Sequence, residues 1–110
     1  MKSFDLERLA SSQGGEYVLG YKDLHSRALY LIYGLLEPGE SNRLVCPGHG
    51  YEEILCAVGG PLLLHTNRGE TLIGRGHAVH LTEKDSLFLS NPQDCQTAYV
   101  IAGGFAGSAE

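Results

Sequence analysis

Cys46-Pro47-Gly48-His49-Gly50-Tyr51-Glu52-Glu53 leads without a break into Ile54-Leu55-Cys56-Ala57-Val58, which Gly59-Gly60-Pro61 then halts. The apolar run fills both parities of an extended chain. Ile54, Cys56 and Val58 fall on one face, Leu55 and Ala57 on the other. A strand in a sheet covered on both sides explains that pattern, and a dimer interface can supply one of the covers.

The same kind of signal repeats in both directions. Upstream, residues 17–21 and 28–36 read as strands, the second closed by the turn Glu37-Pro38-Gly39-Glu40. Downstream, residues 62–65 and 71–73 flank the polar turn Thr66-Asn67-Arg68-Gly69-Glu70 as a hairpin. Residues 77–82, 86–89 and 97–102 complete eight or nine short strands with turn signals between them. The expected fold is all-β, a sandwich or closed barrel. Residues 4–10 allow one or two helical turns or a plain arm. The expected layout is an N-terminal arm over 1–15, one barrel over 16–103, and a tail over 104–110 small and polar enough to fray.

Composition agrees with one packed domain. The chain has 110 residues, 43% hydrophobic and 19% charged, which favours a core over disorder. Its 15 glycines suit many tight turns and would burden helices. The formal net charge is −5 and the basic residues are not clustered, so nucleic acid is not an expected partner. No apolar run reaches the length needed to span a bilayer. Asp5, Glu7 and Arg8 interrupt the N-terminus where a signal peptide needs an apolar stretch, so the expected compartment is cytoplasmic. Cys46, Cys56 and Cys95 are an odd, widely spaced set and read as free thiols.

The candidate chemistry sits in the opening segment. In an extended chain, residues four apart point the same way, so His49 and Glu53 share a side, the interior one if Leu55 and Ala57 face inward. An imidazole and a carboxylate converging in a cavity begin a metal site. The plainer reading of His49 is a solvated loop histidine between two glycines. For Cys95 and Cys56 it is packing as small hydrophobes. His25, His65, His77 and His80 read as surface or satisfied polar residues. Tyr30, Tyr33 and Tyr99 read first as core or interface packing, with Tyr51 and Tyr99 also candidates to touch a bound ligand.

These residues resemble the first motif of the cupin superfamily: a His-x-His pair, about three residues, Glu, six residues, Gly. His49, Glu53, and Gly59 or Gly60 take the second His, the Glu and the Gly. The 37–40 turn is similar to the usual lead-in. The second motif is a turn, a strand, Pro-Pro-Gly, two residues and His. Laid on without gaps, Glu83-Lys84-Asp85 takes the turn, residues 87–89 the strand, Ser90-Asn91-Pro92 the Pro-Pro-Gly, and Cys95 the last His. The resemblance covers residues 28–102 and implies a double-stranded β-helix, or jelly-roll barrel, pairing as a homodimer through its N-terminal strands. It implies a metal set of His49, Glu53 and Cys95. Pro47 stands at the first His position, where it cannot ligate, and Cys46 could compensate through a bulge.

Two functions follow from these features. One is a barrel binding a divalent transition metal (zinc, iron, copper, nickel or manganese), with an enzyme on a metabolite or sugar derivative as one form of it. The other is a metal-free barrel that binds a small molecule as a sensory or structural module.

Overall fold

A computed structural model describes residues 1–107. The elements run α1 (Leu6–Ser12), β1 (Glu16–Leu19), α2 (Tyr21–Leu24), β2 (Tyr30–Leu36), β3 (Arg43–Val45), β4 (Tyr51–Ala57), β5 (Leu62–Thr66), β6 (Gly69–Ile73), β7 (Ala78–Leu81), β8 (Leu87–Ser90) and β9 (Thr97–Phe105). Two antiparallel sheets result. One has five strands in the order β1-β2-β9-β4-β7, and the other four in the order β3-β8-β5-β6. The all-β expectation holds.

Alternation decides which side chains meet between the sheets. Leu55 and Ala57 of β4, Leu62 and Leu64 of β5, Leu87 and Leu89 of β8, and Tyr99 and Ile101 of β9 form one buried cluster with Leu36, Val45, Ile73 and Leu81. Each enclosed leucine contributes about 1.5–3 kcal/mol relative to exposure. The opposite parity of the opening strand, Ile54 and Val58, is exposed. A residue pattern apolar on both sides therefore corresponds to one covered face and one open face.

Some boundaries differ from expectation. The first strand ends at Leu19, because residues 21–24 take a helical turn instead. β3 is three residues long and lies in a stretch whose sequence gives no alternation to read. β4 starts at Tyr51, three residues before the apolar run. β9 continues to Phe105, two residues past the expected barrel edge. The N-terminal arm is a helix, capped by the Asp5 carboxylate accepting the Arg8 N–H at 3.2 Å. It packs on β1 and β2 and buries Ala10. The end of the tail, residues 108–110, whose fraying was expected, lies outside the described residues.

Two tyrosines cross the β2–β9 pair in opposite directions. Tyr30 of β2 is in register with Gly103 of β9, which is in register with Glu53 of β4. Tyr99 of β9 is in register with Gly34 of β2, which is in register with Glu16 of β1. Each ring lies over the neighbouring glycine, where a Cβ would collide with it. Each hydroxyl then reaches a carboxylate one strand further on: Tyr30 donates to Glu53 at 2.5 Å and Tyr99 to Glu16 at 2.6 Å.

Candidate functional site

The segment that joins β3 to β4 keeps strand alternation through Pro47 and then loses it. Val45 and Pro47 are buried, and Cys46 between them is exposed. No bulge turns the Cys46 thiol inward. Residues 48–51 then form a β-turn, closed by the Tyr51 N–H donating to the Gly48 carbonyl at 3.0 Å. Gly50 holds φ +81° at its third position, as a type II turn requires. His49 sits at the corner of this turn with its side chain 82% exposed. Counting by twos from Glu53 fails at Gly50, which is why His49 and Glu53 do not share a side.

His49 Nδ1 lies 3.1 Å from Glu83 Oε2, and the other Glu83 oxygen accepts the Gly50 N–H at 2.6 Å. The Gly50 N–H, with the weaker help of His49, holds the Glu83 carboxyl below the usual carboxylate range against its partial burial. The pair fastens the turn to the β7–β8 loop.

Glu53 does point inward, beside Leu55 and Ala57, and is 6% exposed. Among the described residues, its carboxylate takes one hydrogen bond, from Tyr30. Burial first, and then the Glu53 hydrogen bond, push the Tyr30 phenol well above the usual tyrosine range. The Tyr51 ring meets Tyr30 at 5.8 Å and Phe105 at 5.2 Å, both edge-on. These three rings mark the mouth of the barrel at the 48–51 turn, with Tyr30 and Tyr51 half-buried and Phe105 exposed.

The remaining expected site residues lie elsewhere. Cys95 is exposed and precedes β9, whose first residue, Thr97, is six strand residues, or about 20 Å, from the Gly103 that faces Glu53. Tyr99 is wholly buried, with its hydroxyl engaged by Glu16 and Arg43. It is a core residue, not a ligand contact. The second motif also fits one strand earlier: a turn at 74–77, β7, Thr82-Glu83-Lys84, two residues, and then Leu87. That placement puts Leu87 at the last His position, and Leu87 is in register with Val45, two residues before Pro47. It agrees with the β3–β8 pairing, whereas the Cys95 placement does not.

The donor set therefore does not fit a resident divalent metal. Proline and leucine occupy two ligand positions, the third is a solvent-facing imidazole, and the fourth is a carboxylate bound by tyrosine. Among the described residues, no three His, Cys, Asp or Glu side chains cluster as metal ligands would.

An open site lies where the two sheets part. Each sheet has two edges, so the barrel has two seams. Arg43 fastens the seam between β3 and the β1–β2 side. Its Nη1 donates to the Gly15 carbonyl at 3.3 Å and to the Tyr99 hydroxyl at 3.1 Å, and its Nη2 to the Leu35 carbonyl at 3.0 Å and Glu40 at 2.8 Å. The other seam lies between β6 and β7, which the turn at 74–77 joins at one end. There the Gly76 N–H to Ala57 carbonyl bond at 2.7 Å and the Ala57 N–H to His77 carbonyl bond at 3.1 Å carry the β4–β7 ladder on to that turn. Toward the opposite end the strands separate and leave a cleft of about 680 Å³.

The β5–β6 turn supplies one wall of this cleft, with His65, Thr66, Asn67 and Arg68, and the β7–β8 loop supplies the other, with Lys84, Asp85 and Ser86. Leu81, Leu87 and Phe88 give it an apolar floor. Both His65 nitrogens are occupied, Nδ1 by Glu70 at 2.9 Å and Nε2 by the Ser90 hydroxyl at 2.7 Å. That order matches an activated serine, but Ser90 is 8% exposed, so the arrangement fixes the imidazole and presents no nucleophile. In the sequence, residues 66–70 and 83–85 read as turns alone. Charged turn residues are too common to signal a site until the fold brings two such turns together.

No protein-family model matches the sequence, and no curated protein does. Solved structures do. A cupin protein from Bacteroides fragilis superposes with a TM-score of 0.72 at 14% identity, over 100% of this chain and 86% of that one. A Cupin 2 conserved barrel domain protein from Salinispora arenicola gives 0.71 at 18% identity, over 96% and 90%. A sugar phosphate isomerase from a cupin superfamily, from Silicibacter pomeroyi, gives 0.65 at 19% identity, over 88% of this chain, which spans 64% of that protein. At these identities the likeness carries the fold and not the reaction. In fold, the chain is a small cupin-type barrel.

Proposed function

We propose that this chain is a metal-free barrel that binds a small molecule in the β6–β7 seam cleft. The observation that carries the reading is the contrast between an engaged carboxylate at the expected metal position and an open cleft elsewhere. The barrel mouth holds three aromatic rings around one tyrosine-bound carboxylate, while the cleft is open and of the size of a small-molecule site. Glu53 in this reading is a structural acceptor for Tyr30, and His49 a loop fastener for Glu83.

Untagged protein tests the metal side of the proposal. The expected result is no stoichiometric metal on purification and no thermal stabilisation by zinc, iron, copper, nickel or manganese. One equivalent of metal that disappears in Glu53→Gln would overturn it. Amide chemical-shift mapping with a neutral aromatic probe, phenylacetamide, tests the site: shifts at residues 65–68 and 84–88 are expected, and shifts confined to Tyr30 and Tyr51 would refute it.

A further inference from the structure

We infer that the seam cleft selects a monoanion with an apolar body, such as an aromatic or aliphatic carboxylic acid; this rests on the cleft being the binding site. The argument starts from the ionic state of its walls. Arg68 and Lys84 stand on opposite walls, and neither makes an ion pair among the described residues. The carboxylates around them are already engaged. Glu70 is held by His65 at 2.9 Å, and Glu83 by the Gly50 N–H and His49. Asp85 Oδ2 accepts the Thr82 N–H at 2.8 Å and the Thr82 hydroxyl at 3.3 Å.

Of the residues that line the cleft, two are cations and one, Asp85, is an anion, so the wall charge is matched by a single negative group. A dianionic phosphate would meet Asp85 as a like charge. Beyond the charged rim, Leu81, Leu87 and Phe88 offer apolar surface. Asn67 and Ser86 can donate hydrogen bonds to the second carboxylate oxygen. An amphipathic acid satisfies both halves: its body covers the floor and its head lies between the two cations. In a chain of net charge −5, long-range steering does not bring an anion to this cleft, so recognition is local.

Phenylacetate, phenylacetamide and phenyl phosphate share a ring and differ in head charge, and amide chemical shifts report where each binds. Phenylacetate is expected to shift residues 65–68 and 84–88 and to bind about tenfold tighter than phenylacetamide, the scale of one charge-assisted hydrogen bond. Arg68→Gln and Lys84→Gln should each lower phenylacetate affinity far more than phenylacetamide affinity, with thermal stability unchanged because both side chains are exposed. Equal binding of acid and amide, or no change in either variant, would overturn the charge assignment with the cleft still established as the site. Tighter binding of phenyl phosphate would overturn the monoanion assignment. Shifts at Tyr30 and Tyr51 with none in the cleft would instead overturn the underlying reading of the site.

Discussion

Replacing Tyr30 by Phe removes one oxygen from the barrel mouth and leaves everything else in place. The ring stays over Gly103 and keeps its edge contact with Tyr51. What disappears is the hydrogen bond to a carboxylate that is 6% exposed and has no other hydrogen bond among the described residues. A hydrogen bond to a charged group contributes about 1.5–3 kcal/mol, and the partner left behind bears a desolvation cost of similar size. We expect Tyr30→Phe to lose about 2 kcal/mol, a fall in Tm of about 8–16 °C for a domain of this size. The double variant Tyr30→Phe/Glu53→Leu should recover most of the loss, since an apolar pair replaces a broken polar one. Thermal and urea unfolding of the four proteins completes the cycle. Tyr30→Phe within about 0.5 kcal/mol of wild type, the range of neutral surface changes, would show that Glu53 is satisfied by other means and that the mouth is not closed as described.

The mirror crossing makes a sharper steric test. Gly34→Ala should destabilise by about 2 kcal/mol or more, because the new methyl meets the buried Tyr99 ring, although the same change in an ordinary strand is favourable; a stabilised variant in urea would refute the packing. Arg43→Met should cost about 2–4 kcal/mol by removing four donated hydrogen bonds from one seam, with phenylacetate binding at the other seam unchanged. Tyr30 and Tyr99 have folded pKa values raised above 10.0 by burial and by their carboxylate partners, so their contribution is complete below pH 10 and is lost as pH rises past it. Phenolate absorbance should show these two tyrosines ionising only with unfolding, and Tyr30→Phe should flatten the alkaline loss of stability; free titration of all six tyrosines near pH 10 in folded protein would contradict this.

Strands were legible wherever a run was long enough to alternate or to be bounded by turn residues, as in β2, β4 and β9. β3 was not, since three residues between Asn42 and Cys46 carry no period. The inward direction of Glu53 followed from its parity with Leu55 and Ala57. That of His49 did not, because one residue at positive φ resets the count. Motif spacing also misled at Cys95, where two successive turn–strand–turn units fit one template and only the β3–β8 pairing chooses between them. The cleft was invisible for a different reason. Arg68 and Lys84 are separated by two strands, β6 and β7, and the turn between them, and their meeting depends on two sheets failing to close.

A fully closed cylinder is stiff all the way round, but a folded sheet with one fastened margin behaves like a bound book. The Arg43 seam makes the spine, and the free ends of β6 and β7 are the page edges. Thermal breathing then has one soft direction, and amides along that margin should exchange with solvent fastest among the core strands. A guest held between Arg68 and Lys84 would clip the pages together. Its arrival would be felt as slower exchange along both strands, well beyond the atoms it touches, so occupancy of the cleft would set the rigidity of the whole barrel.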